Sequence, residues 1–222
     1  MFKYFRRSSD LRISAGISLF LFVLVIAAVS SKTVGAEELF PDPVTAQGDV
    51  VVLTGRLMNL DGQPISGAAI EIWQTDERGI YNHPGDSNRE NRDRGFQFFG
   101  TSTTDDSGRY AFRTILPGRY EPRPRHIHVR IRVNQRTVLI SQLYFSTSDD
   151  SFRIGSVPDE LLVGLTPAGN VGDSQAFNAS FDFIVSAGGG SGMKRPTPSQ
   201  GEGPYYPVED VSLFDSDLAA VP

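Results

Sequence analysis

The 222-residue chain contains no cysteine, and this absence excludes a class of chemistry. Disulfide bonds, zinc–thiolate sites, thiol nucleophiles and lipid anchors on cysteine are all ruled out. The fold must rely on its own core, helped by a metal or a partner subunit. Because 39% of the residues are hydrophobic, the chain can form one sizeable domain with additional segments.

The chain also lacks an excess of basic residues. Its formal net charge is -5, and no run of lysine and arginine supplies the patch that neutralising nucleic-acid phosphates requires. We therefore expect no nucleic-acid partner.

Long apolar runs are scarce, and the main one extends from Ala15 to Val29. It follows a basic segment with Arg6 and Arg7 and precedes small residues, a pattern typical of a secretory signal at 1–36. Since a bilayer span needs roughly 20 residues, a retained membrane anchor is less favoured. We predict export to the periplasm or the exterior, with no membrane attachment after signal removal. The paired arginines suggest the twin-arginine route.

Helical periodicity is nearly absent, apart from a short helix expected within 158–165. Strand-like runs instead alternate with turns rich in glycine, aspartate and proline. The predicted strands are 49–58, 68–73, 96–103, 109–116, 126–133, 138–145 and 179–185. This pattern predicts an all-β fold, an antiparallel β-sandwich with long active-site loops, for a catalytic domain at 37–187.

A glycine-rich stretch, GGGSG at 188–192, has the composition of a flexible linker. The tail that follows, 193–222, is too short to be a domain. It contains PTPSQGEGPYYP, which is too aromatic at Tyr205 and Tyr206 for plain disorder. We expect the tail to pack on the sandwich.

Histidine is also rare, and two of the three histidines stand one residue apart in PRPRHIHVRIRV. Because side chains alternate along a strand, His126 and His128 share one face and the apolar residues between them share the other. Both histidines can reach one metal, but two ligands do not complete a site, so the others must come from loops. Tyr81 and Tyr120 are the candidates.

The segments GQPISGAAIEIWQTDERGIYNHPGD and GFQFFGTSTTDDSGRYAFRTILPGRYEPRPRHIHVRI resemble the intradiol ring-cleavage dioxygenases. This is the family of protocatechuate 3,4-dioxygenase and catechol 1,2-dioxygenase, and the resemblance covers residues 48 to 186. Its most specific part is two tyrosines followed by R-P-x-H-x-H. The resemblance implies a non-haem Fe(III) cofactor bound by four residues: Tyr81, Tyr120, His126 and His128. Ferric iron is a hard Lewis acid that suits phenolate oxygens and lowers the pKa of tyrosine.

The same resemblance implies an oxidoreductase that inserts both atoms of O₂ between the two hydroxylated carbons of a catechol. The product is a cis,cis-muconate type diacid. A catechol that binds through both oxygens as a dianion displaces Tyr120 and a bound hydroxide, each of which leaves as a base. Arg123 then stabilises the electron-rich ring, and Gln142 lies beside the substrate.

The tail sequence SQGEGPYYP resembles a stretch that family members usually carry before the sandwich. Here it comes last, either because the chain is circularly permuted or because the tail reaches a neighbouring subunit of a homo-oligomer. Permutation is the favoured alternative, since chain termini often lie close together at the surface. In both cases Gly203, Pro204 and Tyr205 are candidate substrate-binding residues, although the tyrosines of the tail could equally serve only to hold it down.

Two other functions remain open on the sequence. Hairpins such as TDDSGRYAF also occur in exported transthyretin-like sandwich modules, which have a binding or structural role and no catalytic activity. A degenerate dioxygenase that keeps its ligands but only binds metal or carbohydrate is the third possibility.

We interpret three arginines as salt-bridged surface residues, namely Arg113, Arg125 and Arg130. His83 is expected in a loop, and Tyr110 in the core.

Overall fold

The computed structural model describes residues 40, 42–120, 122–145, 157–188 and 192–221. The signal predicted at 1–36 and most of the predicted linker lie outside these ranges, so both stay predictions. Within the described part of the chain, no helix is long and apolar enough to cross a membrane.

In the described part of the chain, ten strands form two five-stranded sheets, which confirms the predicted all-β sandwich. The strands are β1 (Val50–Asn59), β2 (Ala69–Trp73), β3 (Phe99–Thr103), β4 (Arg109–Ile115), β5 (His126–Val133), β6 (Arg136–Phe145), β7 (Leu162–Val163), β8 (Leu165–Val171), β9 (Ser174–Ser180) and β10 (Phe183–Val185). Helical structure in the described ranges consists of three 3₁₀ turns at Arg89–Asn91, Asp159–Leu161 and Val211–Leu213. The prediction of a helix within 158–165 is therefore correct for one 3₁₀ turn only. The rest is wrong, because Leu162 is extended and pairs with Tyr144.

The first sheet has the order β10-β1-β9-β8, with β4 also paired to β1, and the second has the order β3-β2-β5-β6-β7. Most neighbours are antiparallel, but β1 pairs in parallel with β9 and β10, as does β6 with β7. The strand predicted at 179–185 is divided between β9 and β10. At this break the chain passes so close to Gly55 that a Cβ there would lie 1.8 Å from the carbonyl oxygen of Phe181.

The core lies between the two sheets and takes alternate residues from each strand. Ile127, Val129 and Ile131 of β5 are fully buried, as the alternation predicts. Tyr110 is also buried, which confirms its predicted place in the core, and its hydroxyl donates to the carbonyl of Phe181 at 2.7 Å.

The tail described from 192 to 221 contacts both sheets of the same chain. The backbone N–H of Leu218 donates to the carbonyl of Arg113 in β4 at 2.8 Å, and that of Thr101 in β3 donates to the carbonyl of Asp215 at 3.1 Å. Since β3 and β4 are edge strands of the two sheets, the tail covers one open side of the sandwich.

Arg113 is buried, so its interpretation as a surface residue is wrong. Its Nε donates to Asp217 Oδ1 at 2.8 Å, and the rest of the guanidinium donates to the carbonyls of Phe40 at 3.1 Å and Asp42 at 2.7 Å. The position in β4 looks solvent-facing from its own sequence, and the tail together with the segment before β1 provides the burial. A buried charge of this kind requires its partner.

Candidate metal centre

The loop between β2 and β3 places Tyr81, and one buried carboxylate shapes its beginning. Oδ1 of Asp76 accepts hydrogen bonds from the backbone N–H groups of Arg78 at 2.9 Å and Ile80 at 3.1 Å. Oδ2 accepts from the N–H of Asp93 at 2.9 Å, which fixes the far part of the same loop. Asp76 therefore helps to build the site, although the sequence motifs did not indicate it. An aspartate three residues before a glycine is a common turn signal and could have done so.

Two glycines bring the loops of the two tyrosines together. Gly79 has a positive φ of 82°, and a Cβ there would lie 2.0 Å from the carbonyl oxygen of Arg119. Gly118 approaches the same loop as closely, since a Cβ there would lie 2.2 Å from the backbone nitrogen of Gly79. The backbones touch, so Tyr81 and Tyr120 enter the same region, with ring centroids 5.7 Å apart.

Three donor atoms converge beside β5. The Tyr81 hydroxyl lies 3.4 Å from His126 Nε2 and 3.1 Å from His128 Nε2, and the two nitrogens are 3.2 Å apart. All three residues are at most 4% exposed. Two ligands about 2.0–2.1 Å from one metal, at tetrahedral to octahedral angles, lie roughly 2.9–3.4 Å apart. The triangle therefore has the dimensions of a metal site.

The protonation of the histidines also suits a metal. His126 Nδ1 lies 2.7 Å from the carbonyl of Pro124, and this contact assigns the proton to Nδ1 and leaves the Nε2 lone pair toward the triangle. Burial lowers the pKa of His126 to about 4. Burial, together with the neighbouring His126 and Arg123, also lowers the pKa of His128 well below its ordinary value. Both rings are neutral at pH 7, as ligands must be.

Tyr81 supplies the oxygen of the triangle. Burial raises the pKa of its hydroxyl, so the phenol stays protonated unless a cation lies beside it. Among the described residues no group of three or more His, Asp or Glu could hold a metal, so a site here depends on tyrosine. Two imidazoles and a phenolate fit a hard trivalent cation such as ferric iron.

Tyr120, the fourth predicted ligand, lies beside the triangle. Its hydroxyl pairs with the hydroxyl of Tyr205 at 2.9 Å, and this hydrogen bond is the main reason that the pKa of Tyr205 rises to about 12. The structure thus brings three predicted ligands into contact and places the fourth next to them, paired with the tail.

Arg123 and Gln142 form a polar cluster at the same site. The guanidinium of Arg123 donates to Gln142 Oε1 at 2.5 Å and to the Tyr144 hydroxyl at 3.0 Å, and Tyr144 donates to Gln142 Oε1 at 2.8 Å. Gln142 Nε2 in turn donates to the carbonyl of Gly201 at 2.6 Å. Tyr144 was not predicted as a site residue. Strand alternation could have indicated it, because Tyr144 lies two residues after Gln142 on the same face of β6. In the register of β5 and β6, Gln142 lies opposite His128 and Tyr144 lies opposite His126.

The tail residues predicted to bind substrate reach the site of their own chain. Gly203 packs against His128, Tyr205 contacts both Tyr81 and Tyr120, and Pro204 between them is exposed. His83 is in a loop, where its ring lies 5.4 Å from that of Tyr205. The circular permutation of the chain stays a prediction.

Comparison with known proteins identifies related chains. A family profile described as Dioxygenase matches residues 30–187. The beta chain of protocatechuate 3,4-dioxygenase from Burkholderia cepacia is 36% identical over 106 residues, which are 44% of this chain and 45% of that protein. Catechol 1,2-dioxygenase from Candida albicans is 28% identical over 167 residues, which are 60% of this chain and 53% of that protein. The chain spans about half the length of these curated relatives.

Solved structures show the same similarity. The dioxygenase domain of a dioxygenase carbohydrate-binding protein fusion from Streptomyces sp. SirexAA-E matches with a TM-score of 0.51 and 30% identity, covering 65% of this chain and 89% of that one. The 3-chlorocatechol 1,2-dioxygenase of Rhodococcus opacus 1CP matches with a TM-score of 0.53 at 24% identity, covering 66% of this chain and 65% of that one. The second match concerns the fold alone.

Proposed function

Because the chain belongs to the intradiol ring-cleavage dioxygenase family, we propose that it is an exported non-haem ferric enzyme that cleaves catechol-type diols. O₂ is consumed, and the ring opens between the two hydroxylated carbons to give a cis,cis-muconate type product. The observation that carries the proposal is the buried triangle of Tyr81, His126 and His128. Export rests on the signal-like sequence of 1–36.

In this proposal Tyr81, Tyr120, His126 and His128 hold the iron. Ferric iron supplies Lewis acidity, which withdraws electron density from a bound catechol so that the ring can react with O₂. A transthyretin-like binding module has no need for two imidazoles and a phenol hydroxyl that meet within 3.4 Å, so the enzyme is the better-supported function.

Arg123 is the residue that stabilises negative charge on the substrate. Arginine is always protonated, and its planar guanidinium is fixed here by Gln142 and Tyr144, so its charge needs no rearrangement during the reaction. The carbonyl of Gly201 anchors Gln142 in turn. The tail thereby helps to set the position of the Arg123 guanidinium.

Tyr120, in the tyrosinate form that bound ferric iron would stabilise, is the base that takes one proton from a catechol hydroxyl. Its hydroxyl is partly exposed and already has a hydrogen-bond partner outside the triangle, the Tyr205 hydroxyl at 2.9 Å. When Tyr120 receives the proton, this partner can hold the resulting phenol away from the substrate. Geometry of this kind, with donor and acceptor within hydrogen-bond reach, is what general base catalysis requires.

The proposal predicts a visible absorption band when the purified chain is loaded with ferric iron. Charge transfer from tyrosinate to iron gives the band, and catechol added without O₂ should shift it because the set of bound oxygens changes. The measurement is a spectrum with iron quantified on the same sample, followed by O₂ and detection of a ring-opened diacid. A chain that takes up iron but stays colourless would exclude tyrosinate ligation and overturn the proposal.

Changing Tyr120 to phenylalanine should remove part of the band while leaving iron bound. Tyr81 and both histidines remain, so iron content should stay close to that of the unchanged chain. Turnover should fall by about 10²–10⁴-fold, the usual contribution of a general base. Tyr110→Phe is the matched control, since Tyr110 lies in the core with its hydroxyl on the Phe181 carbonyl. A Tyr120→Phe chain with full turnover would show that Tyr120 has no role as a base.

A further inference from the structure

The two histidines of the triangle are held in different ways. The ring of His126 is fixed by the contact of Nδ1 with the carbonyl of Pro124 at 2.7 Å. Nδ1 of His128 is buried and has no hydrogen-bond partner in the described part of the chain. Metal-binding histidines are normally oriented by a hydrogen bond from the second ring nitrogen. His128 therefore needs another means of support.

That support comes from packing. The indole of Trp73 stacks on His128, with ring centroids 4.9 Å apart and planes only 7° from parallel. Gly203 of the tail closes on the Cε1 edge of the same ring, where a Cβ would lie 2.9 Å from Cε1. No side chain other than hydrogen fits at residue 203 without moving the imidazole or the tail.

The tail also fixes Trp73. Tyr206 meets the indole edge to face, with centroids 5.0 Å apart, and its hydroxyl donates to buried Glu71 at 2.9 Å. The guanidinium of Arg130 lies over the ring of Tyr206, 3.8 Å from its centroid, and forms an ion pair with Glu202. Arg130 is thus part of a support that runs from the tail to His128.

We propose that residues 202–206 of the tail position His128 by packing, in place of the hydrogen bond that positions His126. Glu202, Gly203 and Tyr206 are positioning residues in this account, since they act through Trp73 and the imidazole ring. The inference rests on the proposed function in taking His128 as an iron ligand. If the segment is displaced, the imidazole can rotate about its side-chain bonds and iron affinity falls although β5 itself is unchanged.

Gly203→Ala in the full chain tests the proposal, with Gly67→Ala as the matched control. Both glycines have a positive φ, of 79° and 68°, but a Cβ at 67 meets nothing within 4 Å, whereas a Cβ at 203 meets His128. The chain has three histidines, so proton NMR without added iron resolves few Cε1–H signals. The ring current of Trp73 should move the His128 signal upfield. Gly203→Ala should move it back, and Gly67→Ala should leave it in place.

Iron affinity is the second measurement on the same two variants, made by competition between the chain and a ferric chelator. Loss of a residue that orients a metal ligand usually weakens metal binding by about 10–100-fold. We expect this loss for Gly203→Ala and an unchanged affinity for Gly67→Ala. Equal affinities for both variants, with an unmoved His128 signal, would overturn the proposal.

A second pair of variants covers the case in which Gly203→Ala does not fold, because residue 203 has a positive φ of 79°. Glu202→Gln weakens the ion pair with Arg130, while Glu160→Gln makes the same change in the exposed pair with Arg195. Glu202→Gln should shift the His128 signal and lower iron affinity, and Glu160→Gln should do neither. If the unchanged chain binds no iron, the proposed function fails, and the NMR signals alone then decide whether the tail positions His128.

Discussion

We expect the replacement of His128 by alanine to abolish iron binding, and with it the proposed ring cleavage. The variant keeps Tyr81, Tyr120 and His126, but only two donors of the triangle are left, 3.4 Å apart, and the hydroxyl of Tyr120 is paired with that of Tyr205 beside them. Changes in residues that merely support a ligand weaken binding by about 10–100-fold, so loss of the ligand itself should exceed about 100-fold. Iron content per chain after gel filtration is the measurement.

His83→Ala is the control for this result. His83 lies in a loop and its Nδ1 accepts from the backbone N–H of Gly85 at 2.9 Å, outside the triangle. The control should retain iron, and both variants should keep the circular dichroism of the sandwich. A His128→Ala chain with full iron occupancy would show that the ligand set is wrong.

Asp217→Ala should lower the stability of the fold more than any surface substitution. The change leaves the guanidinium of Arg113 buried without its carboxylate, although the carbonyls of Phe40 and Asp42 still accept from it. Breaking a buried ion pair in this way costs about 3–5 kcal/mol. For a chain of this size, such a loss lowers Tm by roughly 6–20 °C. Thermal unfolding followed by circular dichroism measures the effect.

The matched control is Glu160→Ala, which removes an ion pair that also joins the tail to the sandwich. Glu160 and Arg195 are 4.0 Å apart and both side chains are exposed, so their interaction should contribute only about 0–1 kcal/mol. If the two variants lose the same small amount of stability, then the Arg113–Asp217 pair does not anchor the tail. A large loss for Asp217→Ala alone would show that the buried pair anchors the end of the tail to β4.

Local patterns in the sequence were sufficient for most of the strands and for much of the site, but they did not predict β7, β8 or the beginning of β9. β5 begins and ends where the alternation of apolar and polar residues predicts, and this alternation places His126 and His128 on one face. Both are properties of neighbouring residues in an extended chain, so they require no knowledge of distant contacts. The order of Tyr81, Tyr120 and the histidine motif is likewise readable in one dimension, which is why the family resemblance was visible.

The tertiary structure decided the features that depend on residues far apart in the chain. The parallel pairing of β1 with β9, the burial of Arg113 beneath the tail and the pairing of Tyr120 with Tyr205 all join segments separated by many residues. None of these contacts leaves a periodic trace, because each partner alone looks like an ordinary polar or turn residue. The stacking of Trp73 on His128 belongs to this group. Sequence alone therefore indicated which residue types carry the proposed chemistry, and only the packing of the loops and the tail decided what holds them in place.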